Sequence, residues 1–190
     1  MNPLIIFMGR PGSGKGVQSE MLSKALGLPV FSTGAEVRKT ALEDTLLGKR
    51  IKEISDIGGL TPFWFASYLF EKALFVLKDD ESLIFEGVGR KLGEAQLFAE
   101  IASWLGRDFR VIYLEVCEET VGQRLEKRRE TSGRPDDQGE KLENRFKHYN
   151  EETLPALEYF KSLGKVIEID GEPDADTVHA HVLESSKPFA

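Results

Sequence analysis

The stretch that most limits the fold of this chain is PLIIFMGRPGSGKGVQSEMLSKALGLP, residues 3–29. Its first residues form a short apolar run ending on glycine, the pattern of a strand buried on both faces of a parallel sheet. Val17, Met21, Leu22 and Ala25 then recur at helical spacing, and Gly27 and Pro29 stop the helix. Gly9 and Gly14 followed by Lys15 lie between strand and helix with the spacing of a phosphate-cradling loop. Glycines let backbone N–H groups turn inward as an anion nest, the helix N-terminus adds its dipole, and Lys15 supplies a point charge. One feature departs from the usual loop. Where a Ser or Thr hydroxyl commonly follows the lysine and reaches Mg²⁺, this chain has Gly16 and then Val17.

Such a unit needs a sheet around it. PVF (29–31), LIF (83–85), RVIYLEV (110–116) and KVIEID (165–170) are further buried-strand candidates. Helical patterns cover 34–41, 45–57, 62–77, 93–104, 118–130, 139–163 and 174–185. The alternation predicts an α/β fold of three layers, a five-stranded parallel sheet with helices on both faces. At 190 residues the chain suits one such domain. A net charge of −7 argues against broad binding to nucleic acid or an anionic membrane, so any polyanion must meet a local cluster of cations. Cys117, the single cysteine, excludes an internal disulfide and a Cys-rich zinc site. No run reaches membrane-spanning length and the opening residues lack a basic leader. The expectation is a reduced, cytoplasmic chain.

Three more stretches carry chemistry. In LIFEGVGR, Glu86 falls at the carboxyl end of a strand, where ligands of such sheets bind, and Arg90 follows in a glycine-flanked loop. A carboxylate there suits the water shell of Mg²⁺, although Glu86 and Arg90 equally suit a surface ion pair. In QRLEKRRETSGRPDD, Arg124 and Arg128 share a helix face, Arg134 lies in the acidic loop that follows, and Arg145 lies on the next helix. Leu142, Phe146 and Tyr149 mark the buried side of that helix. Taken alone, an arginine run of this kind also fits a solvated face. In FSTGAEVRK, Thr33 reads as a helix N-cap with Arg38 exposed one turn on. His148, His179 and His181 fall on late polar segments and read as surface residues.

Together these stretches resemble the adenylate kinase family of nucleoside monophosphate kinases, over essentially the whole chain. The family loop Gly-x-Pro-Gly-x-Gly-Lys-Gly-Thr appears as GRPGSGKGV, and Ser-Thr-Gly as Ser32, Thr33 and Gly34. Asp-Gly-Phe-Pro-Arg appears as EGVGR, and the lid arginines and Asp-Asp pair as RLEKRRETSGRPDD. The tail HYNEETLPALEYFKSLGKVIEIDG is similar to the family's last helix and strand. The resemblance divides the chain into core segments 1–32, 62–127 and 138–190, an acceptor-binding insertion 33–61 and a short lid 128–137. Glycine after the loop lysine is normal in this family, so Gly16 is expected and Val17, in place of Thr, is the departure.

The implied reaction is reversible phosphoryl transfer from ATP to AMP, giving two ADP. Gly12, Ser13, Gly14, Lys15, Gly16 and Val17 would hold the ATP phosphates, while Arg124 and the backbone at Pro173 flank its adenine. Thr33, Gly59, Leu60, Thr61 and Gly87 would line the AMP pocket, with Arg38 and Arg90 on its phosphate. Arg128, Arg134 and Arg145 would converge on the transferring group, and Glu86 would sit in the outer shell of an ATP-bound Mg²⁺. The family's adenine-reading Gln corresponds to Glu94 here, with Gln96 two residues further on. A glutamate is matched to guanine, so a GMP or pyrimidine monophosphate acceptor is an alternative, as is a nucleotide-binding regulator that has lost transfer. Gly89 in place of the family's Pro would loosen the loop before Arg90. A monomer without nucleic-acid or membrane partners completes the expectation.

Overall fold

The computed structural model of the chain describes residues 3–132 and 139–186. Strand β1 (Leu4–Gly9) is buried along its whole length. Leu4, Ile6 and Met8 point into one core and Ile5 and Phe7 into the other, as strand alternation requires between two layers of helices. Along the chain follow α1 (Lys15–Leu26), β2 (Val30–Ser32), α2 (Thr33–Ala41), α3 (Leu46–Asp56), α4 (Phe63–Phe75), β3 (Ile84–Glu86) and α5 (Leu92–Trp104). Then come β4 (Phe109–Glu115), α6 (Glu118–Ser132), α7 (Gly139–His148), α8 (Leu154–Ser162), β5 (Val166–Asp170) and α9 (Ala175–Ser186).

The five strands pair in parallel in the order β2-β3-β1-β4-β5. The chain therefore enters at the centre, builds one side, and crosses β1 to build the other. That reversal opens a crevice at the carboxyl ends of the central strands. Helices α4, α5 and α8 cover one face and α1 and α9 the other, which gives the expected three layers. Phe31, Phe85, Phe98, Phe109 and Phe160 run through the first core as a chain of edge-on rings, with centroids 5.3–5.7 Å apart.

Two excursions leave this body, each with a small apolar cluster of its own. Helices α2 and α3 pack Val37, Ala41 and Ile51 against Phe65 and Leu69 of α4. Helices α6 and α7 pack Val121 and Leu125 against Leu142 and Phe146. Among the described residues no helix is long and apolar enough to cross a membrane.

The expected single helix over 139–163 is two helices joined by a π-helical turn, Tyr149–Thr153. Pro155 explains the break. It has no N–H to donate, and its ring would strike the carbonyl four residues back in a regular helix. The wider turn, in which the Leu154 N–H reaches the Tyr149 carbonyl, absorbs the misfit. Ser32, not Thr33, caps α2, its Oγ accepting from the Ala35 N–H. Helix α6 runs through Ser132, so Arg124 and Arg128 are both helical. Arg134, Asp136 and Asp137 lie outside the described residues. His148 and His179 are half-buried rather than on the surface; His181 is exposed.

Candidate active site

The loop between β1 and α1 forms because its glycines accept backbone angles other residues resist. Gly12 and Gly14 have φ of +86° and +97°. A β-carbon on Gly12 would lie 2.9 Å from Leu125, so the loop is pressed against α6. Gly14 and Gly16, by contrast, face open space, leaving room above the nest. No acidic side chain occupies the first turn of α1, so its positive end is unopposed by a local carboxylate.

Lys15 is folded back into this loop. Its Nζ donates to the carbonyls of Gly9 and Arg10, both at 2.7 Å, and to Ser13 Oγ at 3.3 Å. Although the residue keeps some surface, its ammonium is enclosed by these acceptors. Burial pushes the ammonium down to about 7; the Glu86 carboxylate opposes this, and the charges of Arg90, Arg145 and Arg128 add to it. These three arginines come from a loop and two different helices, and the charge of each is felt at the one lysine.

Glu86 ends β3 beside the loop, and the Ser32 hydroxyl at the end of neighbouring β2 donates to its Oε2. Burial pushes the carboxyl up, but the Ser32 bond and the charges of Arg90, Lys15 and Arg38 outweigh it and hold the group below its ordinary value. The sequence marks Ser32 only as the first residue of the Ser-Thr-Gly stretch, with no role of its own. Its signal would have been a hydroxyl at the carboxyl end of a strand adjacent to a strand-end carboxylate.

Arg90 turns back over Gly87, where a β-carbon would lie 2.6 Å from its Nη2. A β-carbon on Gly34 would lie 3.3 Å from Arg38 Nη1 and 4.0 Å from Arg90 Nη2, so the two guanidinium groups meet above α2's first turn. Beside them the Thr33 hydroxyl oxygen is buried without a hydrogen-bond partner. Gly89 does not loosen this loop. Its φ is +69°, which proline cannot adopt, and a β-carbon there would lie 2.9 Å from the Phe160 ring. The aromatic chain of the core thus fixes the loop that carries Arg90.

Helix α6 presents Arg124 and Arg128 on one half-buried face. Arg124 Nη2 donates at 2.9 Å to the carbonyls of Glu172 and Pro173, and its Nη1 lies 3.5 Å from the Ser13 carbonyl. It therefore bridges the glycine loop and the segment after β5. Arg10 points to the other side of the loop, pairing with Glu118 at 2.6 Å and lying over the Tyr149 ring, whose hydroxyl meets that of Tyr113 at 2.9 Å. Sequence offered only a charged side chain inside a glycine loop as a hint of that tie.

The residues expected on the acceptor side are less gathered. Glu94 is buried, with Oε2 accepting from the Arg90 N–H at 3.0 Å as a cap for α5. Burial pushes its carboxyl up against the opposing bonds from the Arg90 and Lys91 backbone. Gln96 is exposed and lies about 200° around α5 from Glu94, so the two do not share a face. Gly59, Leu60 and Thr61 form the half-buried link from α3 towards α4, and the Thr61 carbonyl accepts from Lys91 Nζ at 3.1 Å. Val17 projects from the first turn of α1 with 51% of its surface exposed.

A glycine nest opening a helix, a buried lysine, and arginines brought in from several elements at the carboxyl edge of a parallel sheet define a P-loop phosphotransferase. The family model described as adenylate kinase matches residues 7–165. An adenylate kinase of Thermus thermophilus is 34% identical over 179 residues, covering 94% of each chain. One of Phocaeicola vulgatus is 33% identical over 180 residues, covering 94% of this chain and 95% of its own. Adenylate kinase 1 of Synechocystis is 33% identical over 185 residues, covering 97% of each. The chain belongs to the adenylate kinase family.

Proposed function

We propose that the chain catalyses reversible transfer of the γ-phosphoryl group of ATP to AMP, yielding two molecules of ADP. The observation that carries this reading is Lys15 seated in the glycine loop, with Arg124 on the loop's Ser13 carbonyl, Arg38 and Arg90 meeting above Gly34, and the charges of Arg90, Arg145 and Arg128 acting on the lysine ammonium. Two polyphosphates brought face to face need concentrated positive charge from both sides, and a net charge of −7 makes that charge local to the site. The attacking atom is an anionic phosphate oxygen of AMP, which needs no base to deprotonate it. What the chain must supply is alignment, charge stabilisation and exclusion of water.

Lys15 and the N–H groups of Gly12 to Val17 hold the ATP phosphates in this reading. Arg124, already bridging Ser13 and Pro173, flanks the adenine. Arg38 and Arg90 hold the AMP phosphate above Gly34, and Thr33, Gly59, Leu60, Thr61 and Gly87 line the rest of its pocket. Arg128 and Arg145 act on the transferring group, with Arg134 a further candidate by position in the sequence. Glu94, buried and engaged with the Arg90 and Lys91 backbone, remains the candidate base-reading residue by position, and Gln96 is exposed on another face of α5.

Mg²⁺ accompanies ATP in this scheme. An ion carried by the ATP phosphates and water needs no dedicated protein cage, because Mg²⁺ dehydrates reluctantly. Glu86, held ionised beside the nest with one oxygen bonded to Ser32, fits the outer water shell. Bound there, the ion supplies charge neutralisation on the phosphates. The protein acts as a cytoplasmic monomer without nucleic-acid or membrane partners.

A coupled assay of ADP formation across nucleoside monophosphate acceptors tests the reading. AMP is expected to be fastest, and Lys15→Ala to lower turnover by about a hundredfold to a thousandfold with the fold intact. AMP as the poorest acceptor, or tight ATP binding without ADP formation, would refute it.

A further inference from the structure

Helix α7 carries Arg145, an arginine whose charge is felt at Lys15. None of its residues is fully buried, and its apolar hold is half-buried Leu142 and Phe146 against α6. At its other side it touches the carboxyl end of α3, an element of the acceptor-side excursion. Asn144 Nδ2 donates to the Ile57 carbonyl at 2.9 Å, and Lys141 Nζ lies 3.8 Å from Asp56 Oδ1. Between them the chain passes at Gly58, whose missing β-carbon would lie 2.3 Å from the Lys141 carbonyl oxygen. Gly58 also has φ +71°, so both its backbone and its bareness serve this approach.

The chemistry is complementary. The carboxyl end of a helix carries partial negative charge on its last carbonyls, and Asp56 adds a full one. Helix α7 brings an amide donor and an ammonium to that end. Arg145 follows Asn144 directly in the same helix, so whatever fixes Asn144 also fixes the reach of Arg145 towards Lys15.

We propose that Asn144, Lys141 and Gly58 form a latch between the acceptor-side helices and α7, and that Asn144 is a positioning residue for Arg145. This rests on the phosphotransfer reading above. Through the latch, a correctly seated acceptor helix pair holds Arg145 where the transferring group passes. A swung-away α3 releases it.

The test uses the intact protein at saturating ATP and AMP. Asn144→Asp replaces the donor by an anion of nearly the same shape facing a carbonyl and a negative helix end. It is expected to lower kcat by about threefold to tenfold, as Arg145 loses the orientation that the Asn144 bond gives it. The KM for ATP and the melting temperature stay at wild-type values, and Asn144→Gln, which keeps the donor, restores most of the loss. Gly58→Ala, which pushes α7 off α3, lowers kcat at least as far. A wild-type kcat in Asn144→Asp or Gly58→Ala, or a loss that Asn144→Gln shares together with a lowered melting temperature, overturns the latch. A wild-type protein inactive with every acceptor overturns the phosphotransfer reading itself, and the latch with it.

Discussion

Lys15 provides the sharpest solution test, because its ammonium is enclosed before any nucleotide arrives. With its pKa pushed down to about 7, roughly nine in ten empty molecules hold it neutral at pH 8. A polyphosphate placed in the nest reverses the balance, since the opposite charge favours the ammonium over the repulsion of Arg90, Arg145 and Arg128. Binding must then take up about 0.9 proton at pH 8 and about 0.5 at pH 7. The phosphate of ATP itself ionises near pH 6, so uptake at pH 8 belongs to the protein. The sign follows for affinity: it is full below pH 7 and falls by up to about tenfold per unit as pH rises through 7, until the pKa of the bound state is reached. Stability of the empty protein moves the other way. The folded pKa lies below the unfolded value, so between pH 7 and about 10.4 the unfolded chain binds more protons, and stability from this group rises with pH across that window. Calorimetric titration of ATP at pH 8 in Tris and in HEPES, whose ionisation heats differ, gives the proton count directly. Uptake below about 0.3 proton, or equal uptake by Lys15→Met, refutes the enclosed-ammonium argument.

Two substitutions probe the support of the site. Phe160 is fully buried, packs on Phe109 and underlies Gly89; Phe160→Ala should cost about 3–5 kcal/mol in urea unfolding and raise the KM for AMP by loosening the Arg90 loop. A stability loss with unchanged KM would separate the core from the loop. Val17→Thr places a hydroxyl at the half-exposed mouth of the nest and should leave stability within about 0.5 kcal/mol while raising turnover with Mg²⁺ and ATP. Steady-state kinetics decide, and unchanged turnover would remove residue 17 from the metal–nucleotide site.

The strands were readable because each is short and largely apolar; β1, β3 and β4 are mostly buried between the two layers of helices, so local pattern and final environment agree there, while β2 and β5 at the sheet edges stay half-buried or partly exposed. The break at Tyr149–Thr153 was not, because the apolar spacing continues through it and the misfit belongs to the backbone around Pro155. Gly89 shows the same limit from the site's side. As a sequence position it looked like slack introduced before Arg90, whereas its freedom is consumed by a positive φ beneath the ring of Phe160, seventy-one positions further along the chain. Candidate residues could be proposed at Lys15, Arg38, Arg90, Arg124, Arg128 and Arg145, since glycine spacing and arginine spacing are local properties. Their states could not. That Lys15 spends its donors on its own loop, that Ser32 holds Glu86, and that Glu94 caps the helix behind Arg90 all depend on separate strands and turns meeting at one edge of the sheet. The consequence is physical. Lys15 and Arg124 are held by internal acceptors rather than projecting into solvent, so a nucleotide bound as proposed must compete with the Gly9 and Arg10 carbonyls for Lys15 and with the Glu172 and Pro173 carbonyls for Arg124. Such competition favours ligands carrying enough phosphate charge to win both contests at once.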